Sequence, residues 1–264
     1  MSDKNHFAAR PIHDQGDYCW GRHPVLTLLE EAPDRCLKIF LMKGAAGQAV
    51  SRILSLCREK SIPFQAVDGT ILNRLCPGEN HQGMIAQISA VPLTDVEPFM
   101  AKLPRRGPAL LLALDHIQDP QNLGSMIRSA EVAGARAVLI PQRRSALPTG
   151  SVLKVSAGAA LRVPLLPVKN LARMLEILKK DHAFWVVGLD HGASKTLWQE
   201  PLPERCLLVV GSESKGISPV VAKSCDDLRR IPMRGETGSL NASVAASIGL
   251  FEWLRGVDKM PQGR

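Results

Sequence analysis

The sequence predicts an α/β protein of two units, the second built on a mainly parallel sheet. Three observations carry this. Strand-like and helix-like stretches alternate along most of the 264 residues. Ala109-Leu-Leu-Leu-Ala-Leu114 and Cys206-Leu-Leu-Val-Val210 are continuous apolar runs, the pattern of strands buried on both faces. Between the two halves, residues 91–108 hold Pro92, Pro98, Pro104 and Pro108, which suppress regular pairing and mark a boundary.

In chain order, residues 1–18 are polar with Pro11 and Gly16 and are expected to be a flexible tail. The first unit, 19–91, begins with a helix over 25–30 and a strand over 38–42. Val50, Ile53, Leu54 and Cys57 then fall on one face of a helix over 50–60. An extended piece over 63–67, a short helix over 71–75 and a strand over 84–88 complete it. The linker, 92–108, is expected to carry at most a short helix. The second unit, 109–257, reads as a strand over 109–114, a helix over 125–133 stopped by Gly134, and a strand over 137–140. A helix over 171–180, strands over 184–187, 206–210 and 228–232, and a long helix over 241–255 follow. Residues 258–264 are expected to be a second tail.

Hydrophobic residues make up 45 % of the chain, enough for real cores, and the net charge is +8. That balance favours a polyanionic partner, because Lys and Arg gain from phosphate contacts and counterion release. Aromatic residues are only 4 %, so stacking on an aromatic platform is not expected, and Trp185, Trp198 and Trp253 read as core or interface. The six cysteines form no Cys-x-x-Cys pair and are expected to be reduced and mostly buried. Neither a secretory leader nor an apolar run of the roughly 20 residues that span a bilayer is present, so a cytoplasmic location is expected.

Three segments look like backbone loops shaped around a small molecule. The first is Asn122-Leu-Gly-Ser-Met-Ile-Arg128, in which Asn122 is either a helix cap or a ligand. Arg128, amid Met126, Ile127 and Ala130, must snorkel outward or meet an anion. The second, Gly211-Ser-Glu213-Ser-Lys-Gly216, follows a buried strand directly, where parallel sheets bind ligands. It is not a P-loop, because Ile217-Ser218 stand where Lys-Ser/Thr would be needed. The third joins Ile231-Pro-Met233 to Ser239-Leu-Asn241-Ala-Ser243. Ser239 or Asn241 caps the last helix and the other is spare for a ligand. That helix carries Val244, Ile248 and Phe251 on one stripe, with small residues elsewhere that suit close packing or a subunit interface. No dinucleotide fingerprint, His-x-x-x-His zinc pair or Gly-x-Ser-x-Gly elbow occurs, and no metal is expected.

In order and spacing, the three segments resemble the SpoU/TrmH family of S-adenosylmethionine-dependent RNA 2′-O-ribose methyltransferases. Asp119-Pro-Gln-Asn-Leu-Gly124, Arg143 to Ser145, Val155-Ser-Ala-Gly158-Ala and Leu250-Phe-Glu252 add to the likeness. Gly21-Arg-His23-Pro-Val25 and His81-Gln-Gly83 are similar to the substrate-binding domain of the subgroup acting on a 23S rRNA guanosine. One departure is Ser212, where relatives often carry Asn or Ala. The resemblance implies a SPOUT-type, trefoil-knotted parallel-sheet catalytic domain preceded by a small L30e-like α/β domain. It also implies a homodimer with the active site at the subunit interface, and RNA, 23S rRNA above all, as substrate. Donor contacts carry over to Gly211, Gly216, Ile231, Met233 and Leu240. Catalytic and orienting roles carry over to Asn122, Arg128, Glu213, Ser239 and Asn241. RNA contacts are expected at Arg22, His23, His81 and Gln82 in the first unit, and at Arg143, Arg144 and Lys154 near the active segments. A tRNA substrate and a catalytically silent RNA-binding protein are the competing readings.

The implied reaction is attack of a ribose 2′-oxygen on a sulfonium methyl group. Alignment of the reactants contributes about 7–11 kcal/mol in well-oriented systems. The family's usual proposal makes the arginine the base. Guanidinium groups stay protonated in proteins, which favours Arg128 as a phosphate clamp and stabiliser of alkoxide charge, with Glu213 as the competing base.

Overall fold

The computed structural model describes residues 17–236 and 238–258. Two sheets organise the chain. The first has the order β1-β4-β2-β3, from β1 (Asp17–Trp20), β2 (Cys36–Met42), β3 (Phe64–Val67) and β4 (Met84–Ile88). Strand β4 runs antiparallel to both β1 and β2, and β2 pairs β3 in parallel. Helices α1 (Arg22–Glu31), α2 (Gln48–Glu59) and α3 (Gly69–Leu75) connect them, and α4 (Val96–Lys102) lies in the proline-rich connection.

The second sheet has seven strands, β5 (Ala109–Asp115), β6 (Ala137–Pro141), β7 (Leu165–Val168), β8 (Trp185–Leu189), β9 (Lys195–Thr196), β10 (Arg205–Gly211) and β11 (Asp227–Arg230). Their order is β7-β6-β5-β10-β8-β11-β9, with every pairing parallel. The two apolar runs, β5 and β10, are its central neighbours, with Gly211 in register with Asp115. Even-numbered Leu110, Leu112 and Leu114 face one core, and Leu111 and Ala113 face another. Helix α5 (Pro120–Val132) packs against α10 (Ala242–Asp258) and α6 (Gly150–Val155), while α8 (Leu171–His182) packs against α9 (Pro219–Ser224). The short helix α7 (Ala159–Arg162) also meets α5.

Several expectations need correction. The expected tail over 1–18 overlaps β1, because Asp17 and Tyr18 pair with Ile88 and Gln87; residues 1–16 lie outside the described residues. The expected tail over 258–264 likewise begins inside α10 at Asp258, with the remainder outside the described residues. The helix expected over 125–133 starts at Pro120. Asp119 caps it by accepting from the Gln121 and Asn122 N–H groups, and proline suits the first turn, where no N–H is needed. Asn122 is therefore not the cap. Of the three tryptophans read as core or interface, Trp253 is in the core, whereas Trp185 and Trp198 are 49 % and 53 % exposed. All six cysteines are free and five are buried, and burial pushes Cys19, Cys36 and Cys206 up to about 12.

The proline-rich connection does not keep the sheets apart. One core runs from Cys19 and Leu28 of the first unit to Leu112, Val152 and Leu208 of the second. At the seam, Asp17 Oδ2 accepts from Gly150 N–H at 2.7 Å, at the first residue of α6. A side chain at Gly150 would collide with the Tyr18 carbonyl, since a Cβ there would lie 1.9 Å from its oxygen. Glu79 Oε2 accepts from Trp20 Nε1 and from Lys154 Nζ, both at 3.0 Å, and Lys154 Nζ sits 4.6 Å from the Trp20 ring centroid. Arg162 donates to both Glu31 and Glu131 at 2.8 Å.

Candidate active site

At the C-terminal edge of the second sheet, the ends of β8 and β10 and the loop after β11 enclose a cleft of about 390 Å³. Gly211, Gly216, Ile231, Met233 and Leu240, the five residues expected to hold a methyl donor, all line it. Glu213 and Ser239 line it too. The sequence reading missed Asp190, His191 and Arg229, which also form its wall. Leu189, Val210, Ile231 and Leu240 make one side apolar, whereas Asp190 and Glu213 supply carboxylates. An apolar slot for a purine beside two carboxylates fits a cationic sulfonium nucleoside. When bound, S-adenosylmethionine would supply an electrophilic methyl group whose leaving sulfide is neutral.

The loop from Gly211 to Gly216 closes on itself through Gly216 N–H to Ser212 O at 2.8 Å. Buried Arg229 stiffens the floor, with Nε on Asp227 Oδ2 at 2.9 Å and Nη1 on the Glu200 carbonyl at 2.6 Å. Asp190 accepts from Gly192 N–H through Oδ1 at 2.7 Å.

At the lip of the cleft, Glu213 Oε1 gathers three donors, Asn122 Nδ2 at 3.1 Å, Ala242 N–H at 3.3 Å and Asn241 Nδ2. Asn241 Nδ2 also donates to Asn122 Oδ1 at 2.9 Å. Asn241 Oδ1 meanwhile accepts from the Ser243 and Val244 N–H groups, so this one side chain both caps α10 and joins the cluster. Of the two capping candidates, Asn241 is thus the cap, and its amide nitrogen joins the cluster as well, which leaves Ser239 as the other residue. Ser239 is exposed.

Arg128 is exposed and makes no hydrogen bond or ion pair among the described residues. It lies six residues after Asn122 on α5, about 9 Å along the axis. On the same helix, Ser129 Oγ meets Ser247 Oγ of α10 at 2.8 Å.

The structure brings Arg22, His23, His81 and Gln82 together at one corner of the first unit. Gln82 Oε1 accepts from Arg22 N–H at 3.1 Å, at the start of α1. His81 Nδ1 accepts from Gly83 N–H at 3.1 Å, which leaves the ring proton on Nε2, donated to Asn73 Oδ1 at 3.0 Å. Arg143 and Arg144 are exposed on the loop after β6. Lys154 is not free for a phosphate as expected, because its ammonium is engaged by Glu79 and Trp20 across the seam. Among the described residues, no group of three His, Cys, Asp or Glu side chains is placed to hold a metal, and no helix is long and apolar enough to cross a membrane.

Residues 18–93 match the family described as RNA 2′-O ribose methyltransferase substrate binding, and residues 109–251 match the SpoU rRNA Methylase family. The chain is similar to the 23S rRNA (guanosine-2′-O-)-methyltransferase RlmB of Haemophilus influenzae, with 38 % identity over 89 % of this chain and 96 % of that protein. The Escherichia coli K12 protein of the same name is 37 % identical, over 89 % and 97 %. Among solved structures, the SpoU methyltransferase AviRb of Streptomyces viridochromogenes with its cofactor AdoMet shares the fold. Its TM-score is 0.76 at 22 % identity, over 94 % of this chain and 92 % of that one. A TrmH-family structure from Porphyromonas gingivalis has a TM-score of 0.67 at 27 % identity, over 91 % and 90 %. With both units matched and the three segments gathered around one cleft, the chain belongs to the SpoU rRNA methylase family.

Proposed function

We propose that this protein transfers a methyl group from S-adenosylmethionine to the ribose 2′-hydroxyl of a guanosine in 23S rRNA. The observation that carries the reading is the joining of Asn122, Glu213 and Asn241 at the lip of a cleft lined by Gly211, Ile231 and Leu240. In this reading the 2′-oxygen attacks the methyl carbon, and the carbon–sulfur bond breaks as the new carbon–oxygen bond forms. Glu213, with three donors on Oε1, acts as a tether that fixes Asn122 and Asn241. Arg128, exposed and unpaired, meets the RNA phosphate and the developing alkoxide charge. The +8 net charge suits such a polyanion, and the cytoplasm is the compartment in which ribosomal RNA would be met.

The reading includes a homodimer. Val244 and Phe251 of α10 are 46 % and 44 % exposed, and Val132 at the end of α5 is 60 % exposed. A second copy covering this α5–α10 face would bring its Arg128 to this chain's cleft. It includes the trefoil knot of the family's fold as well.

The test is single-turnover methylation of a 23S rRNA transcript. Glu213→Gln keeps an oxygen for the three donors and is expected to stay within about tenfold of the wild-type rate, the effect of weakening charge-assisted bonds. Glu213→Ala releases both asparagines and is expected to lose about 100-fold or more, the scale of removing one preorganised group. Wild-type rates for Glu213→Ala would refute the tether. A 100-fold loss for Glu213→Gln with a lost limb in the pH profile would make Glu213 the base. Absence of any 2′-O-methylation by the wild type would overturn the function itself.

A further inference from the structure

We propose that the edge of the second sheet opposite the donor cleft is a second RNA-contact surface, in which a row of cations holds backbone phosphates and Trp185 stacks an unpaired base. This rests on the RNA reading above.

All strands of a parallel sheet start at one edge. Here β6, β5, β10 and β8 are consecutive neighbours, and each is entered from a basic segment. Arg136 precedes β6, Arg105 and Arg106 precede β5, Arg205 opens β10, and Lys180 lies in the last turn of α8, which leads into β8. With strands about 4.8 Å apart, the row is about 14 Å long.

Arg205 is the post that fixes it. Its guanidinium donates to the carbonyls of Pro104 at 2.8 Å, Gly107 at 3.0 Å and His182 at 3.1 Å, and lies 4.6 Å from the Phe184 ring centroid. Those bonds pin the 104–107 loop, and with it Arg105 and Arg106, against the start of β10. They leave Arg205 itself spent on structure. Arg105, Arg106, Arg136 and Lys180 are exposed, and none makes a side-chain hydrogen bond or ion pair among the described residues.

Two further observations point to a ligand here. His182 is buried at 9 % exposure and its Nδ1 has no hydrogen-bond partner. Burial first, then Arg105, disfavour its protonation, Asp181 opposes them and Arg205 adds the smallest part. Trp185 is half exposed and opens β8 in register with Cys206, one residue from Arg205. An exposed indole beside solvated cations is the arrangement that binds single-stranded RNA, with phosphates on the cations and a base on the ring. The nearby acids are Glu204, Asp181 and Asp226, the last bonded to Val186 N–H and paired with Lys179 at 3.0 Å, and the four solvated cations outnumber them.

The test uses the full chain and a 23S rRNA transcript in filter binding across a salt series, with donor binding by calorimetry as the check on folding. Replacing Arg105, Arg106 and Arg136 together by Ala is expected to lower the slope of log affinity against log salt by about two, at about 0.7 per lost contact. Trp185→Ala is expected to weaken binding about fivefold or more with little change in slope. Donor affinity should hold in both. An unchanged slope in the triple variant overturns the proposal, and a lowered slope with wild-type binding by Trp185→Ala removes its stacking half. Failure of the wild type to bind the transcript strikes the RNA reading instead, so the two failures are distinguishable.

Discussion

Three glycines border the donor cleft for three different reasons, and alanine at each should separate them. A Cβ at Gly211 would lie 2.0 Å from the Gly216 carbonyl carbon, 2.1 Å from its oxygen and 2.3 Å from Ile217 N. All three are backbone atoms, so no rotamer change relieves the overlap and the loop must move by more than about 1 Å to reach ordinary contact. Overpacking of this kind costs about 1–3 kcal/mol, and here the strain falls on the cleft wall itself. Gly216 has room, its nearest neighbour being Asp190 Oδ2 at 4.0 Å, but its φ of +62° costs a larger residue about 1–2 kcal/mol. Gly238 has nothing within 4 Å and no left-handed φ, so alanine there should be neutral or stabilise by up to about 1 kcal/mol through the unfolded chain. Calorimetric titration with S-adenosylmethionine and a thermal melt on each variant read both effects. The expected order of damage is Gly211→Ala, then Gly216→Ala, with Gly238→Ala like wild type. A Gly211→Ala protein that binds the donor within twofold of wild type and melts at the same temperature would refute the reasoning. So would a Gly238→Ala protein as impaired as Gly211→Ala.

The seam should be equally sensitive at one point. Gly150→Ala sets a Cβ against the Tyr18 carbonyl and displaces the Asp17 cap, and is expected to cost about 3 kcal/mol; a denaturant midpoint equal to wild type would contradict the close approach. Lys154→Met removes only a partly exposed bridge and should cost about 1 kcal/mol or less in the same measurement. His182 carries a pH dependence. Burial, aided by Arg105, holds its protonation below the usual 6.5, so the unfolded chain binds the proton first as pH falls. The native state therefore keeps this contribution above pH 6.5 and loses it below. Urea unfolding at pH 7.5 and 5.5 should show a smaller drop for His182→Gln, and equal drops would refute it.

The fold was legible wherever burial wrote an unbroken pattern. Ala109–Asp115 and Arg205–Gly211 stand out because both faces of a central parallel strand are apolar. The missed strands lack that signature. Asp17–Trp20 is partly polar, Leu165–Val168 contains Pro167, and Lys195–Thr196 is two residues on a sheet edge. The short helices α6, α7 and α9 are too brief to show a period. In the site, the glycine-bearing segments marked the cleft in advance, because tight turns and close approaches need that residue. The meeting of Asn122 with Glu213 across 91 positions, and with Asn241 across 119, leaves no local trace. Nor does the partner of Lys154, since an isolated lysine reads the same whether it faces solvent or Glu79.

The shared core has a consequence for how a target is chosen. From His81, whose N–H donates to the Glu79 carbonyl at 3.0 Å, the chain of contacts passes through Glu79 and Lys154 to α6, and from α6 to α5, which carries Asn122. The shared core and the Glu79–Lys154 contact tie this corner to that lip, so under the proposed function the RNA-gripping corner and the methyl-transfer lip would stand at a set span, like the jaws of a caliper. A nucleotide would then be accepted when its distance from the gripped feature equals that span. Retargeting such an enzyme would mean re-cutting the seam at Gly150, and at Gly158, where a Cβ would lie 2.3 Å from Thr27 Cγ2 of α1, rather than repainting the loops.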